Sequence, residues 1–238
     1  MPGMSLQKIP VLQSNTILRT ITFLSILLVI FIFFMYRYDS WPHGTEALGC
    51  VTAIIILSST TAFLWFSRNQ ISDDIQKRNV RTGLYIGLLW TIEIGINNII
   101  RPGLPLRDYI DNSFWGLIAI LILFSACIES YRTKSFLNGL RAGFWSGFAS
   151  GVVSCLTALF LIVFGMKLIL LDPLNIKEWA DIKTTENTTV MAVYFAYQTL
   201  AGALMHLILG MIMGVLLGSI AGLTGWIFGS KLLGKRRG

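Results

Sequence analysis

The feature that most limits what this chain can become is a series of long, uncharged apolar blocks, of which Ile21 to Tyr36 and Ala47 to Phe66 are the clearest. Each approaches the ~20 residues that a helix needs to cross a ~30 Å hydrocarbon layer. Only 13% of the 238 residues are charged, about half the ~25% of an average soluble domain, so the chain cannot coat a water-soluble globule. The reading is all-α: a polytopic integral membrane protein, a bundle of about six transmembrane helices.

The formal charge of +7 does not point to nucleic acid. A nucleic-acid binder carries its basic residues as a stripe on a recognisable soluble fold, whereas here they sit between apolar blocks. Cys50, Cys127 and Cys155 are odd in number, scattered and embedded in apolar sequence; they form no disulfide framework and have no metal-ligand spacing. They read as small core residues. The first block follows Lys8 and Arg19 but is longer than a signal-peptide core and ends without a small-residue cleavage site, so it is expected to stay as the first span.

The predicted spans are 18–36, 46–66, 82–100, 112–130, 142–166 and 203–229. With the N-terminus inside, the cytoplasmic side collects Lys8, Arg19, Arg68, Lys77, Arg78, Arg81, Arg132, Lys134, Arg141, Lys231, Lys235, Arg236 and Arg237, 13 of the 19 Lys and Arg. The opposite side keeps Arg37, Arg101, Arg107, Lys167, Lys177 and Lys183, together with most of the acids, among them Asp108, Asp111, Asp172 and Glu178. The positive-inside rule then predicts both termini in the cytoplasm of a plasma (inner) membrane. The domain plan is a cytoplasmic segment 1–17, one transmembrane domain 18–230 with an outer loop at 172–189, and a basic tail 231–238. Trp65, Trp145 and Trp226 near predicted cytoplasmic ends, and Trp41 and Trp115 near outer ends, read as headgroup anchors. Arg101-Pro102-Gly103-Leu104-Pro105 ends the third span, since proline lacks the donor that helix propagation requires.

Two apolar stretches exceed a simple crossing: Phe136 to Leu171 has 36 residues and Val190 to Leu233 has 44, which at ~1.5 Å per residue overshoots the bilayer. Helices projecting on the outer side, turning at Pro173, are expected; the alternative is an interfacial or re-entrant piece within Val190 to Leu204. Within these stretches lie two glycine ladders, Gly139, Gly143, Gly147 and Gly151 in the fifth span and Gly210, Gly214, Gly218 and Gly222 in the sixth, continued by Gly225 and Gly229. Spacing by four keeps such residues on one face, and a face without side chains admits close backbone packing. Internal pairing of the two long helices is the simplest use; a homo-oligomer seam and a pore or lipid groove are the alternatives.

Glu93 lies 12 residues beyond Arg81, roughly 18 Å into the third span and near the midplane. An ionisable group there costs roughly 2.5 to 3.5 kcal/mol and marks a candidate functional site. Asn97 follows one turn later on the same face and Asn98 adjoins it, giving a polar intramembrane constellation. The structural alternative ties Glu93 to Asn97 and to a hydroxyl of Ser58 to Thr61 as interhelical glue. His206 continues a four-spaced row, Gln198, Gly202, His206 and Gly210, from which it can reach toward Glu93 or Ser154. Glu129 beside Arg132 is expected to reach the headgroups.

Phe148-Ala149-Ser150-Gly151 with the later His206 resembles the serine–histidine dyad of rhomboid intramembrane proteases, six-helix proteins. The likeness covers those two short pieces only. Ser150 and His206 fall on consecutive spans and are expected at different depths, too far apart for a hydrogen bond of about 3 Å. Other catalytic, cofactor and metal motifs are absent from the sequence. Asn187-Thr188-Thr189 matches a glycosylation acceptor, relevant only in a eukaryotic secretory host. The functional expectation is a small permease-like or channel-like component with Glu93, Asn97 and Asn98 lining its interior. The alternatives are a non-catalytic subunit or scaffold packed on another membrane protein, and an intramembrane enzyme. The expected partners are the lipid bilayer, a second copy of the chain or another membrane subunit, and no nucleic acid.

Overall fold

The computed structural model describes residues 14–36, 45–66, 74–184 and 190–234. All regular structure among them is helical: α1 Ser14–Met35, α2 Thr45–Phe66, α3 Asp74–Gly95 running into a π-turn at Ile96–Ile100, α4 Leu104–Thr133, α5 Phe136–Phe164, the short α6 Met166–Leu170, α7 Pro173–Ile182 and α8 Met191–Gly234. Five of them are long and apolar enough to cross a membrane, and α2 carries a shorter apolar stretch, Val51–Leu64. Large apolar side chains such as Phe23, Phe31, Ile55, Leu88, Ile120, Phe124, Ile212 and Leu216 face outward. Such an exterior suits lipid, where the helix also satisfies every backbone donor within its own segment. The expected anchor Trp41, the terminal basic residues Lys8 and Lys235 to Arg237, and the Asn187-Thr188-Thr189 triplet lie outside the described residues, as does the side chain of Trp65.

Local sequence sets the breaks. Arg101 takes a left-handed backbone (φ 56°) and its N–H bonds to Ile96 O at 3.2 Å, closing the π-turn. Gly103 then caps α4, with Pro105 in its first turn where no donor is needed. Lys134 (φ 53°) ends α4, and the Ser135 side chain accepts from Asn138 N to open α5. Asp172 caps α7 by accepting from Leu174 N, with Pro173 next in line. The stretch expected as an outer loop at 172–189 therefore contains a helix. α8 is continuous over 44 residues, about 66 Å at ~1.5 Å per residue. α8 therefore has no break within Met191 to Leu204.

α5 is the buried helix: 61% of its apolar stretch is enclosed, against at most 39% in the other four spanning-length helices. The reason is its small residues. A Cβ built on Gly143 would sit 2.5 Å from the Gly214 carbonyl oxygen, one on Gly210 2.6 Å from that of Gly147, and one on Gly139 2.6 Å from the Gly222 Cα. No real Cβ tolerates such distances, so these positions admit hydrogen alone. Residue numbers rise along α5 as they fall along α8, so the two helices run antiparallel. Gly225 and Gly229 leave this contact and lie instead against Cys127 and Tyr131 of α4. On another face of α5, Ser146 and Ala149 meet Gly83 and Val153 meets Gly87 of α3. α1 and α2 complete the main core with Leu18, Val29, Ile32 and Leu57 around Phe148 and Leu159.

Several single-residue expectations change. Trp145 is no headgroup anchor: it is 8% exposed and stacks between Phe63 and Phe148. Glu129 is also buried, and its carboxylate accepts from Arg78 Nη2 at 2.9 Å. The hydroxyls of Thr60 and Thr61 return to carbonyls of their own helix, as apolar surroundings demand, so α2 offers Glu93 no glue.

Replacing Gly147 by Leu is expected to overpack the α5–α8 contact and lower stability by about 1–3 kcal/mol or more. Gly116→Leu, where a Cβ meets nothing within 4 Å, is the control and leaves stability unchanged; thermal unfolding in mild detergent reads both.

Candidate functional site

Glu93 lies two turns before α3 and its π-turn end at Ile100. One turn on, Asn97 presents the same face, and its amide Nδ2 donates to Glu93 Oε1 at 2.7 Å and to Asp111 Oδ1 at 2.8 Å. Asp111 stands two turns into α4, so the tight Arg101–Gly103 connection brings the two carboxyl groups to a single amide nitrogen. Glu93 and Asn97 are each 6% exposed. Asn97 Oδ1 is buried with no hydrogen-bond partner.

The network continues through Arg107, one turn before Asp111 on α4. Its Nη1 donates to Asp172 Oδ2 at 2.9 Å, and its Nη2 to the Asn97 carbonyl at 3.4 Å. Asp172, 1% exposed, is also the α7 cap, so one carboxylate fixes a helix start and an ion pair together. The π-turn displaces backbone acceptors from the regular ladder, and side chains fill them: Asn98 Nδ2 donates to Ile94 O at 2.9 Å and Arg101 Nε to Asn98 O at 3.2 Å. Glu93 and Asp111 are thus bridged by the Asn97 amide, and Asp172 is paired with Arg107, which also holds the Asn97 carbonyl. The arrangement can accept a proton or a small cation between its first two carboxyls.

The remaining predicted residues fall elsewhere. Asn98, Gln198 and His206 line a separate cleft of about 220 Å³ between the π-turn, α5, α6–α7 and α8, with Arg107 at its border. The predicted constellation therefore splits, and the division runs between the adjacent residues Asn97 and Asn98. Gln198 Nε2 donates to Glu178 Oε1 of α7 at 2.9 Å, and Tyr194 OH donates to the same oxygen at 2.9 Å. His206 makes no bond across to Ser154: its Nδ1 and the Ser154 Oγ are both buried without partners. Its ring instead packs on Trp90, with centroids 4.8 Å apart, and Trp90 meets Trp115 edge-on at 4.5 Å.

The expected difference in depth between Ser150 and His206 is corrected by the register, because Gly151 packs against the His206 carbonyl. No dyad results, since the Ser150 hydroxyl donates to Gly147 O at 2.8 Å. Asp111, Arg107 and Asp172 were not among the residues singled out from sequence. Their one signal is the four-residue spacing of Arg107 and Asp111, which places both on one face of α4. Among the described residues no group of three or more His, Cys, Asp and Glu is placed to hold a metal ion. No protein-family model, no curated protein and no solved structure matches the chain.

Removing Arg107 leaves Asp172 buried and unpaired, so Arg107→Ala is expected to cost about 3–5 kcal/mol. The double replacement Arg107→Ala with Asp172→Ala recovers part of that loss. Unfolding of the two single variants and the double variant gives the coupling energy, and a value of zero would show the pair to be inert.

Proposed function

We propose that this chain is a small transport component of the plasma membrane, with six spans and both termini in the cytoplasm, in which Glu93 and Asp111 hold the proton or small cation that moves or drives movement. The basic residues at the Lys134 end and the acids at the Arg107 end support this orientation through the positive-inside rule. The glycine rows of α5 and α8 act in this reading as an internal seam that keeps the bundle rigid around the site.

One observation carries the functional reading. Two carboxyl groups converge on one amide nitrogen of Asn97, among helices apolar enough to cross a membrane. Like charges that close repel strongly in a medium of low dielectric, and the repulsion is relieved when a positive species binds. A purely structural contact needs only one carboxyl there, and ionisable groups within spans generally mark ion or proton paths.

The purified chain is reconstituted into vesicles containing a pH-sensitive dye and, separately, a sodium-sensitive dye. Wild-type protein is expected to dissipate an imposed proton or sodium gradient faster than empty vesicles. Glu93→Gln inserts equally well and loses at least about tenfold of that rate, the scale on which single polar groups act. Unaltered flux in the variant removes Glu93 from the path, and no flux from wild type rejects transport of these ions.

The long α8 favours a second reading, a non-catalytic subunit or scaffold. Ile220, Leu223 and Trp226 are exposed on its C-terminal part, around and beyond Gly222. In that case purification in mild detergent brings down a stoichiometric second membrane protein; a clean monomer counts against it.

A further inference from the structure

The cleft between the π-turn, α5, α6–α7 and α8 is a better-built site than its place beside the carboxyl pair suggests. Its volume of about 220 Å³, set against ~30 Å³ per liquid water, leaves room for about seven waters or a small organic solute. Leu161 and Phe195 give it an apolar wall. Its polar groups come from four elements: Asn98 from the π-turn, Arg107 from α4, Asn175 from α7, and Gln198, Thr199 and His206 from α8; three of them are amides.

These groups share one bias. Asn98 donates its Nδ2 to Ile94 O at 2.9 Å, Asn175 its Nδ2 to Ile169 O at 2.8 Å, and Gln198 its Nε2 to Glu178 Oε1 at 2.9 Å. A planar amide that turns its NH₂ group into the protein turns its oxygen the other way. The three amides therefore spend donors on the protein and offer acceptors. His206 borders the same space, and its Nδ1 is buried with no partner. Arg107 also lines the cleft; its Nη1 pairs with the Asp172 carboxylate and its Nη2 donates to the Asn97 carbonyl, so its charge is compensated by Asp172. Glu178, held by Tyr194 and Gln198, leaves a negative charge at the rim.

We propose that this cleft binds a primary ammonium group, whose three N–H donors go to the oxygens of Asn98, Asn175 and Gln198, with its alkyl part against Leu161 and Phe195. Recognition rests on three N–H donors as well as charge, so a quaternary ammonium of equal charge binds poorly. The group comes either from a small free amine or from an ethanolamine lipid headgroup, whose chemistry is the same. The site goes beyond the transport reading and does not depend on it, because binding is measured without flux.

Equilibrium dialysis of the full chain in detergent against radiolabelled ethanolamine, with choline as the donor-free competitor, tests the free-solute source. Nanodiscs of mixed phosphatidylethanolamine and phosphatidylcholine, with co-purified lipid read by mass spectrometry, test the lipid source. The expected result is saturable ethanolamine binding at one site with choline at least tenfold weaker, or tenfold enrichment of the ethanolamine lipid. Gly202 lines the cleft, and a Cβ there meets nothing within 4 Å. Gly202→Leu therefore fills the space without disturbing a neighbour, and is expected to abolish binding while leaving thermal unfolding unchanged. The exposed Gln198→Met is expected to weaken binding about tenfold. Choline competing as well as ethanolamine, full binding in Gly202→Leu, or no binding and no lipid enrichment in either arm overturns the proposal.

Discussion

The contact on which the rest depends is the bare backbone approach of α5 and α8. In lipid no hydrophobic force drives one apolar helix onto another, so association rests on dispersion, weak Cα–H···O contacts and the few polar groups available. Those terms fall steeply with distance. Glycine at 139, 143, 147 and 151, set against glycine at 210, 214, 218 and 222, lets the two main chains meet with only hydrogens between them. α5, smooth on this face and small on the next at Ser146 and Ala149, can then sit at the centre with α1, α3, α4 and α8 around it. A bulkier helix could not occupy that place without pushing one neighbour away.

The same four-residue row explains why space opens where it does. Along α8 the row runs Gln198, Gly202, His206, Gly210. Gly210 is pressed against Gly147, whereas a Cβ on Gly202 meets nothing. Between them α5 changes character from glycine to Ser154 and Ala158, and side chains again hold the helices apart. One periodic face therefore serves as a seam at one level and as the wall of a cleft two turns away. Asp172 closes the region from above by capping α7 and pairing with Arg107.

Much of this architecture was legible in the sequence because it rests on local signals. Apolar block length gave the helices that can span, and spacing by four gave the faces of the glycine rows. Pro102, Gly103 and Pro173 gave the turns. What was not legible depends on how distant helices meet. Trp145 and Glu129 look like interfacial residues by position, yet each is buried by a partner more than 40 residues away in sequence. Asp111 and Asp172 counted as loop acids in a charge tally, because nothing local reveals that a tight turn folds one back onto Asn97 or that Arg107 holds the other. The depth of Ser150 relative to His206 failed for a related reason. Register between two long helices is set by which glycines meet, and no local signal reports it.

The polar constellation read as one site is two, and its division has a structural cause. In a regular α-helix Asn97 and Asn98 already diverge by about 100°. The π-turn at Ile96–Ile100 widens the helix there, and both asparagines contribute to holding it: Asn98 bonds Ile94 O, and the Asn97 carbonyl receives Arg107. Arg107 in turn borders the cleft while standing one turn from Asp111. The carboxyl pair and the cleft thus share a single strained turn and a single guanidinium. Ligation of one site can reach the other only through differential contacts made in two arrangements of that turn.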